Sequence, residues 1–310
     1  MDILGGILAA LLVFAMERIP FVEDGTHLFR FMNHHSKYFW PAINDMLSDQ
    51  LLFLNSRTRF NDPYDSHPIV DSDLSTSAVR AYCDEAIQNP FNPMRTVTGV
   101  ARILDLKVAD RTRLTREMVK GIKSDMRQAT EDFLDTAGLL SFSLTAENPL
   151  LWGHYAASFA GVCTVFRRGK STTSCLSMCA NVSYVGTRPR LPMSLFHNMT
   201  TRRMSGQSSE ALENEIFFLS FLHKSNHWEY EQEARIFFPF GASKKLSFDR
   251  TELVGFLMGP KSAPELEHKL RVEIAARRPS VALDRASLSN QDFRIIIPHK
   301  FTRRRSKESR

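Results

Sequence analysis

Apolar residues recur along this chain at two spacings, and the switches between them mark its elements. His27 to Phe31 (HLFRF) alternates and predicts a strand. Residues 38–49 predict a helix entered near Pro41, whose fixed φ suits a first turn. Leu51 to Leu54 predicts a second short strand, and 60–66 (FNDPYDS) a turn rich in Asn, Asp and Pro. Residues 72–137 are polar and predict helix. Within them Leu114, Met118, Ile122, Met126, Ala129 and Phe133 recur every three or four positions as a buried stripe, with Gly138 placed to end it.

The pattern then changes. Leu139 to Leu144 alternates as a strand, 149–159 predicts a short helix with Pro at its start, and Val162 to Phe166 a strand. Residues 167–208 are weakly patterned and predict loops, apart from Val182 to Val185. An apolar helix over 209–223 follows, then strands at Tyr230 to Phe238 and Glu252 to Met258. A helix over 264–277 and short strands at Val281 to Leu283 and Phe293 to Ile297 close the pattern. Strands and helices mix without regular βαβ alternation. The expected fold is therefore α+β, with a mixed, mainly antiparallel sheet core and a helical insertion at about 72–137.

Composition adds limits. With 43% hydrophobic and 24% charged residues the chain is globular, not disordered. No repeat or linker interrupts it, so 27–298 is read as one domain, after an apolar segment (1–26) and before a basic disordered tail (299–310). Ile3 to Met16 is uncharged, but its fourteen residues fall short of the ~20 that span a bilayer. No Lys or Arg precedes it, so it lacks a signal peptide's basic start. The expectation is a buried or partner-facing helix in a cytoplasmic protein, with membrane anchoring as the alternative. The formal charge is +6, of which residues 302–310 (TRRRSKESR) supply +4. The basic balance thus belongs to the tail, which implies weak contact with nucleic acid or an anionic surface. Four cysteines are sparse and suit a reducing compartment. Cys175 and Cys179, like His223 and His227, are four apart and lack C-x-x-C spacing, so free thiols are favoured over zinc.

Three clusters could carry chemistry. Glu229, Glu231 and Glu233, spaced by two, share one strand face with Arg235. Crowded carboxylates shift one another's proton affinity, so one can act as base while another binds; a solvated edge is the alternative. Ser141 and Ser143 share a face of their strand, followed by Trp152, His154 and Tyr155. Arg30 lies between Phe29 and Phe31, where its fork can hold a phosphate or carboxylate. The chain has no P-loop, G-x-G-x-x-G, H-E-x-x-H or G-x-S-x-G.

These segments occur in a recognisable order: Leu28-Phe29-Arg30-Phe31, Phe60-Asn61-Asp62-Pro63-Tyr64-Asp65, Leu140-Ser141-Phe142-Ser143, Leu151-Trp152-Gly153-His154-Tyr155-Ala156, Gly161-Val162-Cys163 and Tyr230-Glu231-Gln232-Glu233-Ala234-Arg235. Over residues 27–297 the chain resembles a large bacterial family known only as a domain of unknown function, whose members read LYKYR, FNDPFD, SFS, LWSHYA, GVC and YExEWR. Gly153 and Ala234 depart from the Ser and Trp usual there. A basic residue on the first strand, S-x-S on a later one and E-x-E after that also resembles the layout of ADP-ribosyltransferases. That resemblance implies NAD as substrate and no metal. Arg30 would hold the NAD phosphate or ribose, and Ser141 and Ser143 the nicotinamide ribose. Glu233 would be the catalytic carboxylate and Glu231 would orient the acceptor. Trp152 or Tyr155 would stack on a ring, with His154, Asn61 and Asp62 completing the contacts.

The leading expectation is an NAD-consuming transferase or glycohydrolase, of the kind used as bacterial toxins or phage-defence effectors, acting on an unidentified protein or nucleic-acid target. One alternative is a non-catalytic module that binds a nucleotide or nucleic acid in defence. Another is a hydrolase holding Mg²⁺ with Asp62, Asp65 and the Glu pair, although Asp before Pro is equally a turn device.

Overall fold

The computed structural model describes residues 19–88 and 116–301. Ile3 to Met16, Leu114 and Thr302 to Arg310 lie outside them. Among the described residues no helix is long and apolar enough to cross a membrane.

Seven strands form the main sheet. In chain order they are β1 (His27–Met32), β2 (Gly138–Ser143), β3 (Val162–Arg167), β4 (Ala180–Asn181), β5 (Glu233–Phe238), β6 (Leu253–Met258) and β7 (Ala282–Arg285). Their spatial order is β7-β6-β3-β1-β2-β5-β4. Every neighbouring pair is antiparallel except β6 and β7. The fold is α+β around a mixed, mainly antiparallel sheet, as the patterning implies.

The sheet has a seam. β1 pairs with β3 along all six of its residues, and β2 with β5 along all six of its own. Between themselves β1 and β2 share a single pair, Phe29 opposite Ser143. The two central strands are each anchored on the outer side and part on the inner one.

Alternation assigns the faces. Leu28, Met32, Leu140, Phe142, Ala234, Ile236 and Phe238 pack into one core with Phe39, Ile43, Met46 and Leu47 and with Leu270 and Ile274 of the helix Pro264–Arg277. The opposite face carries two clusters. Phe29, Cys163 and Val165 surround Trp152 and Ala156. Leu139 joins Val119, Ile122, Met126 and Leu134 of the helix Arg116–Asp135, Phe196 of Met193–Met204 and Phe217 of Glu210–Phe221. Ser141, Ser143, Glu233 and Arg235 share that face and belong to neither cluster. The site begins at this polar strip.

Three local expectations are corrected. The helix Met193–Met204 falls in a stretch expected to be loops; its apolar positions Met193, Phe196 and Met199 sit among Ser, Thr and Asn, which weaken the pattern. Gly138 opens β2 instead of closing the helix, which ends at Asp135; its lack of a Cβ lets the backbone of Gly241 approach. The strand expected from Tyr230 starts only at Glu233. Asn226–Glu231 form a 3₁₀ turn that ends at Gln232, held left-handed at φ 45°.

Candidate functional site

That left-handed residue matters for the acidic motif. It re-aims the chain between Glu231 and Glu233, so the two carboxylates approach one cation from a turn and from a strand. Glu229 stays exposed and leaves the group. The cation is Lys224, in the short strand His223–Ser225. Its Nζ lies 2.5 Å from Glu231 Oε2, 3.0 Å from Glu233 Oε2 and 3.4 Å from Asp65 Oδ2. Arg235 closes the cluster from β5. Its Nε and Nη2 donate to Glu233 Oε1 at 2.8 and 2.6 Å, and Nη1 and Nη2 donate to the two oxygens of Asp65 at 2.9 and 3.1 Å. Nη1 also donates to Ser66 Oγ and to the Phe221 carbonyl, both at 2.8 Å.

All five side chains are buried, so each charge needs its partners. Burial alone would raise the Asp65 carboxyl, but Arg235 and Lys224 beside it reverse the shift and hold it below its ordinary value. Burial likewise works against protonated Lys224 and Arg235, yet the carboxylates around them hold both above their ordinary values. Three carboxylates face two cations, and Glu231 also has a neutral partner: Tyr155 donates its phenol proton to Oε1 at 2.6 Å. Burial and then this bond to Glu231 push the phenol upward. Asn61 Nδ2 reaches the same phenol oxygen at 3.4 Å.

A cavity of about 360 Å³ opens at the seam beside this cluster. Arg30, Ser141, Ser143, Tyr155, Glu231 and Glu233 all line it. On the pleat Arg30 belongs to the face opposite the serines. It meets them because residues of both faces of β1 and β2 line the gap where these strands part. Phe29, Phe31, Phe60 and Leu151 give an apolar wall, and Asn61 completes the rim near Tyr155.

The lining groups differ in how far the protein already satisfies them. Ser143 is occupied: its hydroxyl contacts the carbonyls of Thr145 and Glu231 at 2.8 and 2.6 Å and accepts from Thr145 N–H. It ties the Glu231 turn to β2. The Ser141 hydroxyl, the Asn55 side-chain amide and the guanidinium groups of Arg30 and Arg59 line the cavity with no partner among the described residues. Desolvation alone, with no acidic neighbour, draws Arg30 down to about 10, so it stays cationic at neutral pH.

Other expected contacts lie elsewhere. Trp152 is fully buried, donates its indole N–H to the Ala146 carbonyl at 2.8 Å and meets Phe31 edge-on at 5.1 Å between centroids; it is core and lies outside the cavity lining. His154 is exposed at the end of the helix Pro149–Tyr155. Asp62 caps its own turn by accepting from the Tyr64 N–H at 2.8 Å, the role that Asp before Pro commonly takes. Cys175 and Cys179 are buried free thiols that burial pushes upward. His223 and His227 bond to the Phe218 carbonyl and to Ser225. Among the described residues no three His, Cys, Asp or Glu side chains are disposed to hold a metal.

Comparisons with family models, curated proteins and solved structures each returned no match.

No motif marks Lys224, Arg59 or Asn55. Lys224 had one signal: it follows the apolar run from Ile216 to Leu222, and a lysine so placed needs buried acids. Arg59 and Asn55 had none, since only the fold brings them to the seam.

Proposed function

We propose that the chain is an NAD-consuming enzyme that breaks the nicotinamide–ribose bond and passes ADP-ribose to water or to an acceptor nucleophile. One observation carries this reading. The cavity at the seam joins donors without partners (Arg30, Ser141) to a fixed carboxylate (Glu231) and an apolar wall. The donors suit an anionic dinucleotide, and Phe29, Phe31 and Phe60 suit a planar leaving group.

The geometry favours exchanging the roles implied by resemblance for the two glutamates. Both oxygens of Glu233 are held by Arg235 and Lys224, so its charge is already compensated. Glu231 has one cation on Oε2 and only a neutral phenol on Oε1. In the reaction the C1′–N bond breaks and nicotinamide leaves with the electron pair. The Glu231 carboxylate balances the positive charge growing on the ribose. The nucleophile then bonds to C1′ and its proton passes to Glu231. Tyr155, bonded to Glu231, fixes that carboxylate's orientation.

The test is nicotinamide release from NAD by the purified chain. Glu231→Gln is expected to slow release ~100-fold or more, the scale of a lost transition-state partner, in protein that circular dichroism shows to be folded. A wild-type rate equal to that of Glu231→Gln refutes the proposal. The second reading, a non-catalytic nucleotide-binding module, draws on the same donors without partners; NAD binding without nicotinamide release would favour it.

A further inference from the structure

Satisfied and unsatisfied groups divide sharply by charge at the seam. Every carboxylate lining the cavity, Asp65, Glu231 and Glu233, is already bonded to Lys224 or Arg235. Two lining guanidinium groups, Arg30 on β1 and Arg59 at the end of the turn Arg57–Arg59, have no partner among the described residues. Asn55 and Ser141 beside them add an amide and a hydroxyl, also without partners there. A ligand that matches this surface must bring acceptor oxygens in excess of donors.

The number of donors sets the class of ligand. Each guanidinium presents five N–H donors in a planar fork and takes two oxygens at once. A carboxylate has two oxygens, which one fork satisfies. A single phosphate has three terminal oxygens on one centre, so two forks can share it only by converging on one phosphorus. A diphosphate presents terminal oxygens on both phosphorus atoms and can engage both forks together.

We propose that Arg30 and Arg59 form a two-point clamp for a diphosphate, with Arg59 the residue that selects diphosphate-bridged ligands over monophosphates. This deepens the reading of the cavity as an NAD site and rests on it for the identity of the dinucleotide. Arg59 is a binding residue here and takes no part in bond cleavage. Being exposed, it can be changed without disturbing the core.

The experiment is calorimetric titration of the full chain with ADP-ribose and with AMP, at low and moderate salt, for wild type, Arg59→Gln and Arg30→Lys. Wild type is expected to bind ADP-ribose at least ~10-fold more tightly than AMP, with affinity falling as salt rises, as one further charge-assisted contact implies. Arg59→Gln should lose ~10-fold for ADP-ribose and little for AMP. Arg30→Lys, which keeps the charge and loses the fork, should weaken both. Equal binding of the two ligands by wild type, ADP-ribose binding unchanged in Arg59→Gln, or no binding of either ligand overturns the clamp. Failure of the catalytic reading looks different: ADP-ribose binding lost in Arg59→Gln, with no nicotinamide released from NAD by wild type, leaves the clamp standing and removes the transferase. Conversely, nicotinamide release with an unchanged KM in Arg59→Gln removes the clamp and leaves the enzyme.

Discussion

Lys224→Met withdraws the ammonium shared by Asp65, Glu231 and Glu233 while keeping most of the side chain's bulk. Before the change two cations face three buried carboxylates; after it Arg235 alone faces them. Two unit charges about 3 Å apart attract by ~5 kcal/mol at an effective dielectric near 20. The relieved desolvation of the ammonium offsets part of this. Removing one partner of a buried pair costs ~3–5 kcal/mol in practice, because the other charge is left uncompensated. In a domain this size each kcal/mol moves the melting temperature by roughly 2–4 °C, so Lys224→Met should melt about 6–20 °C below wild type. The assay is thermal unfolding followed by circular dichroism at pH 7, repeated in a Glu231→Gln background. There one of the three carboxylates is gone, so the same Lys224→Met change should cost less, by ~0.5–3 kcal/mol. A shift under ~2 °C, or strict additivity with Glu231→Gln, would show that Lys224 does not hold the acidic group together.

Two further outcomes follow from the same contacts. Trp152→Phe leaves the buried Ala146 carbonyl without its donor and should lower stability by ~1–3 kcal/mol in urea unfolding while leaving ADP-ribose affinity unchanged; a loss of affinity would restore a ligand-binding role to this ring. Asp65, held below its ordinary 3.8, contributes stability that is present above that value and lost as pH falls through its lower folded value, so the stability gap between wild type and Asp65→Asn should stay constant from pH 5 to 8 and close only under about pH 4. A gap that closes by pH 6 contradicts the buried pairing with Arg235.

Much of the fold was written locally. The alternation of 139–144 and the threefold to fourfold stripe of 114–134 depend on near neighbours, and the strand Gly138–Ser143 and the helix Arg116–Asp135 appear within a residue or two of expectation. The acidic motif shows where such reading stops. Spacing two places Glu229, Glu231 and Glu233 on one face only if the chain is extended, and the left-handed Gln232 breaks that premise. Glu231 and Glu233 still converge, by way of Lys224, a residue with no spacing relation to either. Ser141 and Ser143 look equivalent on their strand, yet the turn carrying Glu231 sits on Ser143 and occupies it, whereas Ser141 stays without a partner among the described residues. Partners that come from distant chain segments decide which of two like residues remains available, and no local pattern records them.

The seam explains why the available residues are donors. Opening a sheet between its central strands gives up ladder hydrogen bonds, which is tolerable only if each strand stays paired on its other edge and the exposed main chain finds partners. β1 and β2 keep full ladders with β3 and β5, and at Leu139 the freed main chain bonds in both directions with Asn55 across 2.9 and 2.7 Å. The remaining polar surface of the gap is supplied by side chains. Carboxylates placed there could not stay charged without compensation, and Lys224 and Arg235 provide it from one wall. Arg30 can remain without an acidic neighbour because a guanidinium keeps its proton even at about 10, so no internal partner is needed to hold its charge at neutral pH. A gap built this way holds its acids internally and leaves its cations for whatever enters. An anionic ligand would therefore enter the seam without having to break any pairing the fold depends on.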